Sequence, residues 1–267
     1  MVFTMQFENY QELGIKEIQV HSTIDNSKQP SLLWLCNSSD SRQLLVGLHT
    51  WSADRYNQIE SLYPLAKKNG WHLLLPEFRG PNLKTNPRAT QACASIFAMQ
   101  DVIDAINAVC LMADIEKNKI FLIGGSGGGH MALMLAGYCP EMWRSVASFC
   151  PITDLIAWHK ENLNYSPHIE ACCGGPPDEN TIEEYKKRSP IFYADKIAQC
   201  KQVYIYHGKF DRSVPFTHSL NLFNKICQIN PKANVFLEIF DGGHEMIIEK
   251  AEVQFMNSCQ DNSAITG

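Results

Sequence analysis

Ile120-Phe-Leu-Ile-Gly-Gly-Ser126-Gly-Gly-Gly-His130, followed by the apolar run Met131 to Ala136, is the stretch on which the reading of this chain turns. Ile120 to Ile123 read as a buried strand, and the run after Ser126 has the length and spacing of a helix. Between them Gly124, Ser126 and Gly128 satisfy G-x-S-x-G, the elbow that lifts a nucleophilic serine out of a strand on a sharp, strained turn. Neighbours without a Cβ are needed there, because helix and strand would otherwise collide. The turn also places the N–H of Gly127 at a helix N-terminus, where it can stabilise an oxyanion. A glycine-rich phosphate loop is the competing reading. It fails on the missing Lys-Ser/Thr and on the incomplete dinucleotide spacing with its ribose-binding acid.

Outward from this stretch, strand-like and helix-like segments alternate. Upstream, residues 15–21 and 31–36 read as strands parted by the turn-rich Asp25 to Pro30. Leu44 to Leu48 is a continuous apolar strand of the kind buried on both faces, and it runs into His49-Thr50-Trp51. A helix through Ile59, Leu62, Leu65 and Ala66 stops at Asn69-Gly70, and Trp71 to Leu75 is the next strand. Ile96, Met99, Val102, Ile103, Ile106 and Val109 mark a long crossover helix. Downstream of the elbow, 145–150 is a strand. Residues 155–195 then break the pattern, with a loop from Cys173 and a short charged helix from Asn180 to Arg188. Strand 202–206, helix 215–229, strand 234–240 and a helix from about 245 follow, with a frayed tail after Cys259. The expectation is one α/β domain over 1–267: a mostly parallel sheet of about eight strands, helices on both faces, and 155–195 as a small lid. Sites in such sheets form at the C-terminal ends of strands. Ser126, the His49–Trp51 loop, Asp211 and the His244 loop all fall there.

Composition narrows the function classes. The 267 residues are 45% hydrophobic and 19% charged, with a net charge of −5. That leaves no basic footprint for nucleic acid or for an anionic membrane surface. No apolar run reaches spanning length, and Met1 to Gln11 lacks a basic-then-apolar leader. A cytoplasmic protein is expected. Most of the ten cysteines lie in or beside apolar segments, where a free thiol packs as a small hydrophobe. No C-x-x-C pair occurs, so no metal is expected. The vicinal Cys172-Cys173 reads as two free thiols in a loop.

A serine hydroxyl needs a base to take its proton, and the base needs an acid to orient it. The elbow's partners follow in the order acid, then histidine. His244, in Asp241-Gly-Gly-His244, lies just after the last strand, where glycines let the loop turn back toward Ser126. His218 falls within a helix pattern. Asp211 follows the penultimate strand. Asp154 is the alternative acid, though it suits the N-cap of a helix starting at Leu155. The second oxyanion donor belongs to the loop after the third strand. The Trp51 N–H is the first candidate there, with Thr50 or Ser52 as alternatives. The Trp51 ring would wall the pocket, His130 falls on the helix face below Ser126, and Trp158 could stack on a sugar or phenolic group. Arg79 reads as a structural ion pair, or as a ligand for a substrate carboxylate.

Several spaced motifs carry a resemblance. Gly-Gly-Ser126-Gly-Gly-Gly-His, Arg188-Ser-Pro, His207-Gly-Lys-Phe-Asp211-Arg-Ser-Val-Pro, Gly-Gly-His244 and Pro76-Glu-Phe-Arg79-Gly resemble the α/β-hydrolase domain of the prolyl oligopeptidase family over about residues 30–260. The resemblance implies Ser126, Asp211 and His244 as a triad, with no cofactor. The family's peptidases carry a β-propeller ahead of this domain, for which this chain has only some 30 residues. Related propeller-free and acetyl-xylan or feruloyl-type enzymes hydrolyse carboxylic esters. The expected activity is therefore a serine esterase on short-chain or carbohydrate-linked esters, with small molecules as its partners. A peptidase of short peptides and a non-catalytic binding protein remain the alternatives.

Overall fold

The most apolar strands lie at the centre of the sheet. β3 (Leu44–Leu48), β4 (His72–Pro76), β5 (Ile120–Gly125) and β6 (Ser145–Phe149) are buried at every residue. In the computed structural model, which describes residues 10–37 and 41–260, they join β1 (Lys16–His21), β2 (Lys28–Trp34), β7 (Val203–Gly208) and β8 (Val235–Phe240). The eight-stranded sheet has the order β1-β2-β4-β3-β5-β6-β7-β8. From β4 to β8 neighbouring strands are parallel, whereas β1–β2 and β2–β4 are antiparallel. The sheet is thus mixed at one edge. β2 begins earlier than its sequence suggests, because Pro30 pairs with Gln19 across the ladder. An antiparallel register of this kind needs only the short turn left between His21 and Lys28.

Alternation along β5 sends side chains to two faces. Leu122 packs in a cluster with Val102 and Ile106 of α2 (Ile96–Met112), Leu133 of α3 (Gly127–Tyr138) and Leu222 of α8 (Thr217–Ile229). Phe121 and Ile123 join Ile59 and Leu62 of α1 (Ile59–Asn69) and Phe255 of α9 (Ile248–Gln260) on the other face. Each fully buried aliphatic or aromatic side chain contributes about 1.5–3 kcal/mol. The helix ends are legible. α1 stops at Gly70 with φ 67°, and Ser95 Oγ caps α2 by accepting from the N–H of Ala98. No helix among the described residues is long and apolar enough to cross a membrane. The tail expected beyond Cys259 lies, from residue 261, outside the described residues.

Segment 155–195 folds into α4 (Leu155–Glu161), α5 (Ser166–Cys173), α6 (Ile182–Lys187) and the start of α7 (Ala194–Ile197). Its apolar side chains turn inward. Trp158, Ile169, Cys172 and Tyr185 are buried in a third cluster with Trp51, Cys93 and Val214. Cys172 and Cys173 close α5 as buried free thiols, with Gly174 at φ 89° ending the helix. They do not lie in a loop. Pro167 in the first turn and glycine just past the end make this a helix that composition alone disguised.

Candidate active site

Ser126 leaves the buried end of β5 at φ 54° and ψ −118°, a conformation rarely adopted by a residue with a Cβ. The turn is held by its own N–H, which donates to Phe149 O at 2.8 Å. Its glycines are steric requirements. A Cβ on Gly124 would lie 2.3 Å from Gly128 O, and one on Gly127 would lie 2.4 Å from Trp51 N. The second approach brings the Gly127 backbone against that of Trp51, and each carries an N–H group. Neither donates to a protein acceptor among the described residues, whereas the Thr50 N–H is engaged by Asn57 Oδ1 at 3.1 Å.

At the end of β7 the chain turns so that Asp211 Oδ1 accepts from the N–H groups of Ser213 and Val214, at 2.8 and 3.0 Å. Its Oδ2 lies 2.6 Å from His244 Nδ1 and 3.2 Å from His207 Nε2. The Asp211 side chain is 0% exposed. Burial alone would raise its carboxyl, but hydrogen bonds from His207, His244 and the Val214 N–H outweigh burial and hold it well below the usual carboxylate range. The His244 side chain is 30% exposed, and its second nitrogen is left for the cleft.

That cleft has a volume of about 320 Å³ and contains Ser126 and His244. Thr50, Asn57, Gln58 and Ser61 form a polar wall, and Cys150 and Met246 an apolar one. No hydrogen bond joins Ser126 Oγ to the His244 ring. Contacts of this kind commonly tighten only with substrate bound.

The remaining candidates lie elsewhere. Trp51, Trp158 and His130 do not line the cleft and, at 1%, 1% and 0% exposure, cannot meet a substrate there. The Trp51 ring packs edge-on against Trp158, with ring centres 4.9 Å apart. Trp158 donates its indole N–H to Ser213 O. His130 Nε2 bonds to Arg188 O at 2.6 Å, and burial pulls its pKa down to about 4. None of the residues lining this cleft belongs to 155–195, whose buried side chains instead share a cluster with Trp51. Arg79 is 1% exposed and held by Asp101 and Asp25, so the ion-pair reading stands and no substrate carboxylate reaches it. Asp154 caps α4 through the N–H groups of Ile156 and Ala157. His218 bonds to Glu161 and to the Thr153 N–H, apart from the cleft.

Cys150, His207 and Asp211 place ligand-type atoms within 4.8 Å of one another, the one such grouping among the described residues. Each is already committed. Burial pushes the Cys150 thiol up to about 12, and it donates weakly to Gly243 O and Glu245 O. His207 Nε2 is taken by Val214 O and Asp211. Sequence reasoning gave His207 no role beyond its motif and Thr50 only as an alternative oxyanion donor, and it passed over Cys150, Asn57, Gln58 and Ser61. Of these, only His207 carried a signal, as a histidine near the end of an apolar strand.

This fold and site define a serine hydrolase of the α/β-hydrolase class. The sequence profile described as prolyl oligopeptidase family matches residues 96–261, and the chain belongs to that family. It is 29% identical over 137 residues to the uncharacterized peptidase YtmA of Bacillus subtilis, covering 50% of this chain and 52% of that one. It is 25% identical over 222 residues to the acylamino-acid-releasing enzyme of Mus musculus, covering 77% and 29%. The chain thus spans about half the length of YtmA and less of the mouse enzyme. Among solved structures, a Mycobacterium tuberculosis puromycin-hydrolyzing peptidase superposes with a TM-score of 0.74 at 16% identity, over 92% of this chain and 39% of that one. The Pyrococcus furiosus esterase Pf2001 superposes with a TM-score of 0.70 at 16% identity, over 94% and 93%. These superpositions speak to fold alone.

Proposed function

We propose that the chain is a serine ester hydrolase for short acyl or carbohydrate-linked esters. The observation that carries this reading is the buried Asp211 carboxylate 2.6 Å from His244 Nδ1, with that ring sharing a cleft with Ser126. In this reading Ser126 Oγ attacks the ester carbonyl while His244 Nε2 takes its proton. The same nitrogen then protonates the departing alcohol. Asp211 holds the imidazole and stabilises its protonated form. The N–H groups of Gly127 and Trp51 donate to the oxyanion, each donor contributing roughly 3–4 kcal/mol. Water deacylates the enzyme by the same route.

The cleft's volume, about 320 Å³, is near the lower end of ligand sites, about 300–1,000 Å³, and favours a small acyl group. The hydroxyls and amides of Thr50, Asn57, Gln58 and Ser61 suit a polar alcohol such as a sugar. A peptidase of short peptides is the second reading, supported by the names of the curated relatives. A non-catalytic role sits poorly with the left-handed φ at Ser126, since a scaffold gains nothing from strain there.

The test is initial rates on p-nitrophenyl esters from acetate to decanoate, beside a prolyl p-nitroanilide, for the wild type and Ser126→Ala. Turnover peaking at short chains and lost in Ser126→Ala is expected. Anilide cleavage exceeding ester cleavage would make it a peptidase. A folded protein inert to both, and unlabelled by a fluorophosphonate, would favour the binding role.

A further inference from the structure

We propose that His207 is a positioning residue for Asp211: a second imidazole that shares the carboxylate with His244 and locks its orientation. The inference rests on the reading of Asp211 and His244 as acid and base.

His207 is the penultimate residue of β7 and its side chain is 0% exposed. A histidine so deep is ordinarily a satisfied core residue, and its partners show what this one satisfies. Nε2 lies 2.9 Å from Val214 O and 3.2 Å from Asp211 Oδ2, two acceptors and no donor. The proton therefore sits on Nε2. Nδ1 lies 2.7 Å from Ser219 Oγ on α8, a hydroxyl that can donate to it and so suits the tautomer with its proton on Nε2.

The ring thereby spans the turn at two points. Val214 gives its N–H to Asp211 Oδ1, and its carbonyl accepts from His207 Nε2, which also lies 3.2 Å from Asp211 Oδ2. Rotation of the carboxylate would break contacts at both oxygens at once. The spacing in His207-Gly-Lys-Phe-Asp211 follows from this. Four residues carry the chain out of the strand and back, so that the imidazole at the strand end faces the carboxylate beyond the turn.

There is an electrostatic consequence. A donor on Oδ2 takes up part of the carboxylate's negative potential, leaving less to stabilise a protonated His244. Without His207, His244 should hold its proton to higher pH. The other titratable groups around the pair are Cys150 against Asp211, His218 on α8, and Glu245, whose carboxylate accepts from the Gly243 N–H. All three remain in the variants below.

The test compares His207→Phe, His207→Gln and Ser219→Ala with wild type, by NMR titration of the His244 ring and by the pH profile of kcat/KM. His207→Phe removes the donor. It should raise the His244 midpoint and the acidic limb together by about one unit. It should also lower kcat about 10- to 100-fold, as for a misplaced catalytic group, with KM within twofold. His207→Gln keeps an N–H and should restore most of both. Ser219→Ala, the milder change in case the Phe variant does not fold, frees the tautomer and should move the midpoint the same way by less.

An unmoved His244 midpoint in folded His207→Phe, or in Ser219→Ala if that variant alone folds, would overturn the proposal. So would equal losses in the Phe and Gln variants, because the donor would then make no difference. The ring titration needs no turnover. If the esters and the anilide all prove inert, the midpoint shift still reports on His207, and the two failures stay distinct.

Discussion

At the residue scale, Asp211 and Asp154 form a controlled pair. Both end up accepting two backbone N–H groups at the start of a turn or helix, but only Asp211 also meets a histidine that reaches the cleft. Asp211→Asn should cut kcat by about 10⁴, as it does where the acid fixes the base's tautomer. Asp154→Asn should leave rates on the same esters within a few-fold. Gly127→Ala puts a methyl 2.4 Å from Trp51 N, so the two N–H groups must part. A loss of about 10²–10³ in kcat, with circular dichroism unchanged, is the expected result. The elbow was legible because its strand, glycines and helix are contiguous in sequence, even though Phe149 and Trp51 also hold and crowd the turn. The parts of Trp51, Trp158 and His130 were not, because a motif fixes where a backbone goes and not which way a ring beside it turns. The Trp51 ring is buried against Trp158 and does not line the cleft.

At the element scale, the strands and most helices could be read from apolar spacing, while within 155–195 only the cap at Asp154 and the charged helix from Asn180 to Arg188 could. Its helices are short, polar outside and apolar inside, and what makes them helices is a cap at Asp154 and a Pro–Gly bracket around α5. Asp154→Ala should cost about 1 kcal/mol of stability, read from urea denaturation, while ester rates hold. α3 carries a different liability. His130 lies wholly buried within it, its pKa pulled down to about 4 by burial, while in the unfolded chain it returns to about 6.5. The unfolded state therefore binds more protons between those values, and stability falls as pH drops through that window. Thermal melts between pH 7 and 4 should show a decline that is shallower in His130→Gln than in wild type.

At the scale of the whole molecule, one buried cation helps fasten the mixed edge of the sheet, beside the hydrogen bond from Thr23 to Asp104 and the ion pair of Arg55 with Glu17. Arg79 bonds to Asp101 on α2, to Asp25 and Ser22 in the β1–β2 turn, and to Gln91. It thus ties the antiparallel hairpin to the parallel body. Arg79→Met strands Asp101, whose side chain is 1% exposed, and should cost about 3–5 kcal/mol, visible as a lowered Tm without loss of activity in the folded fraction. The strand order has a further consequence. The serine stands on β5 at the centre of the sheet, while the groups that would activate it come from the ends of β7 and β8, and β8 is an outer strand with one neighbour. Its burial is sparse, with Phe236, Glu238 and Ile239 exposed. Regions with few buried contacts open at lower free energy than the rest of a protein. Fraying of β8 would carry His244 away while the nucleophile and the bulk of the core stayed in place. Heat and mild denaturant would then silence this molecule well before they unfold it, with hydrogen exchange quickening first along Val235–Phe240.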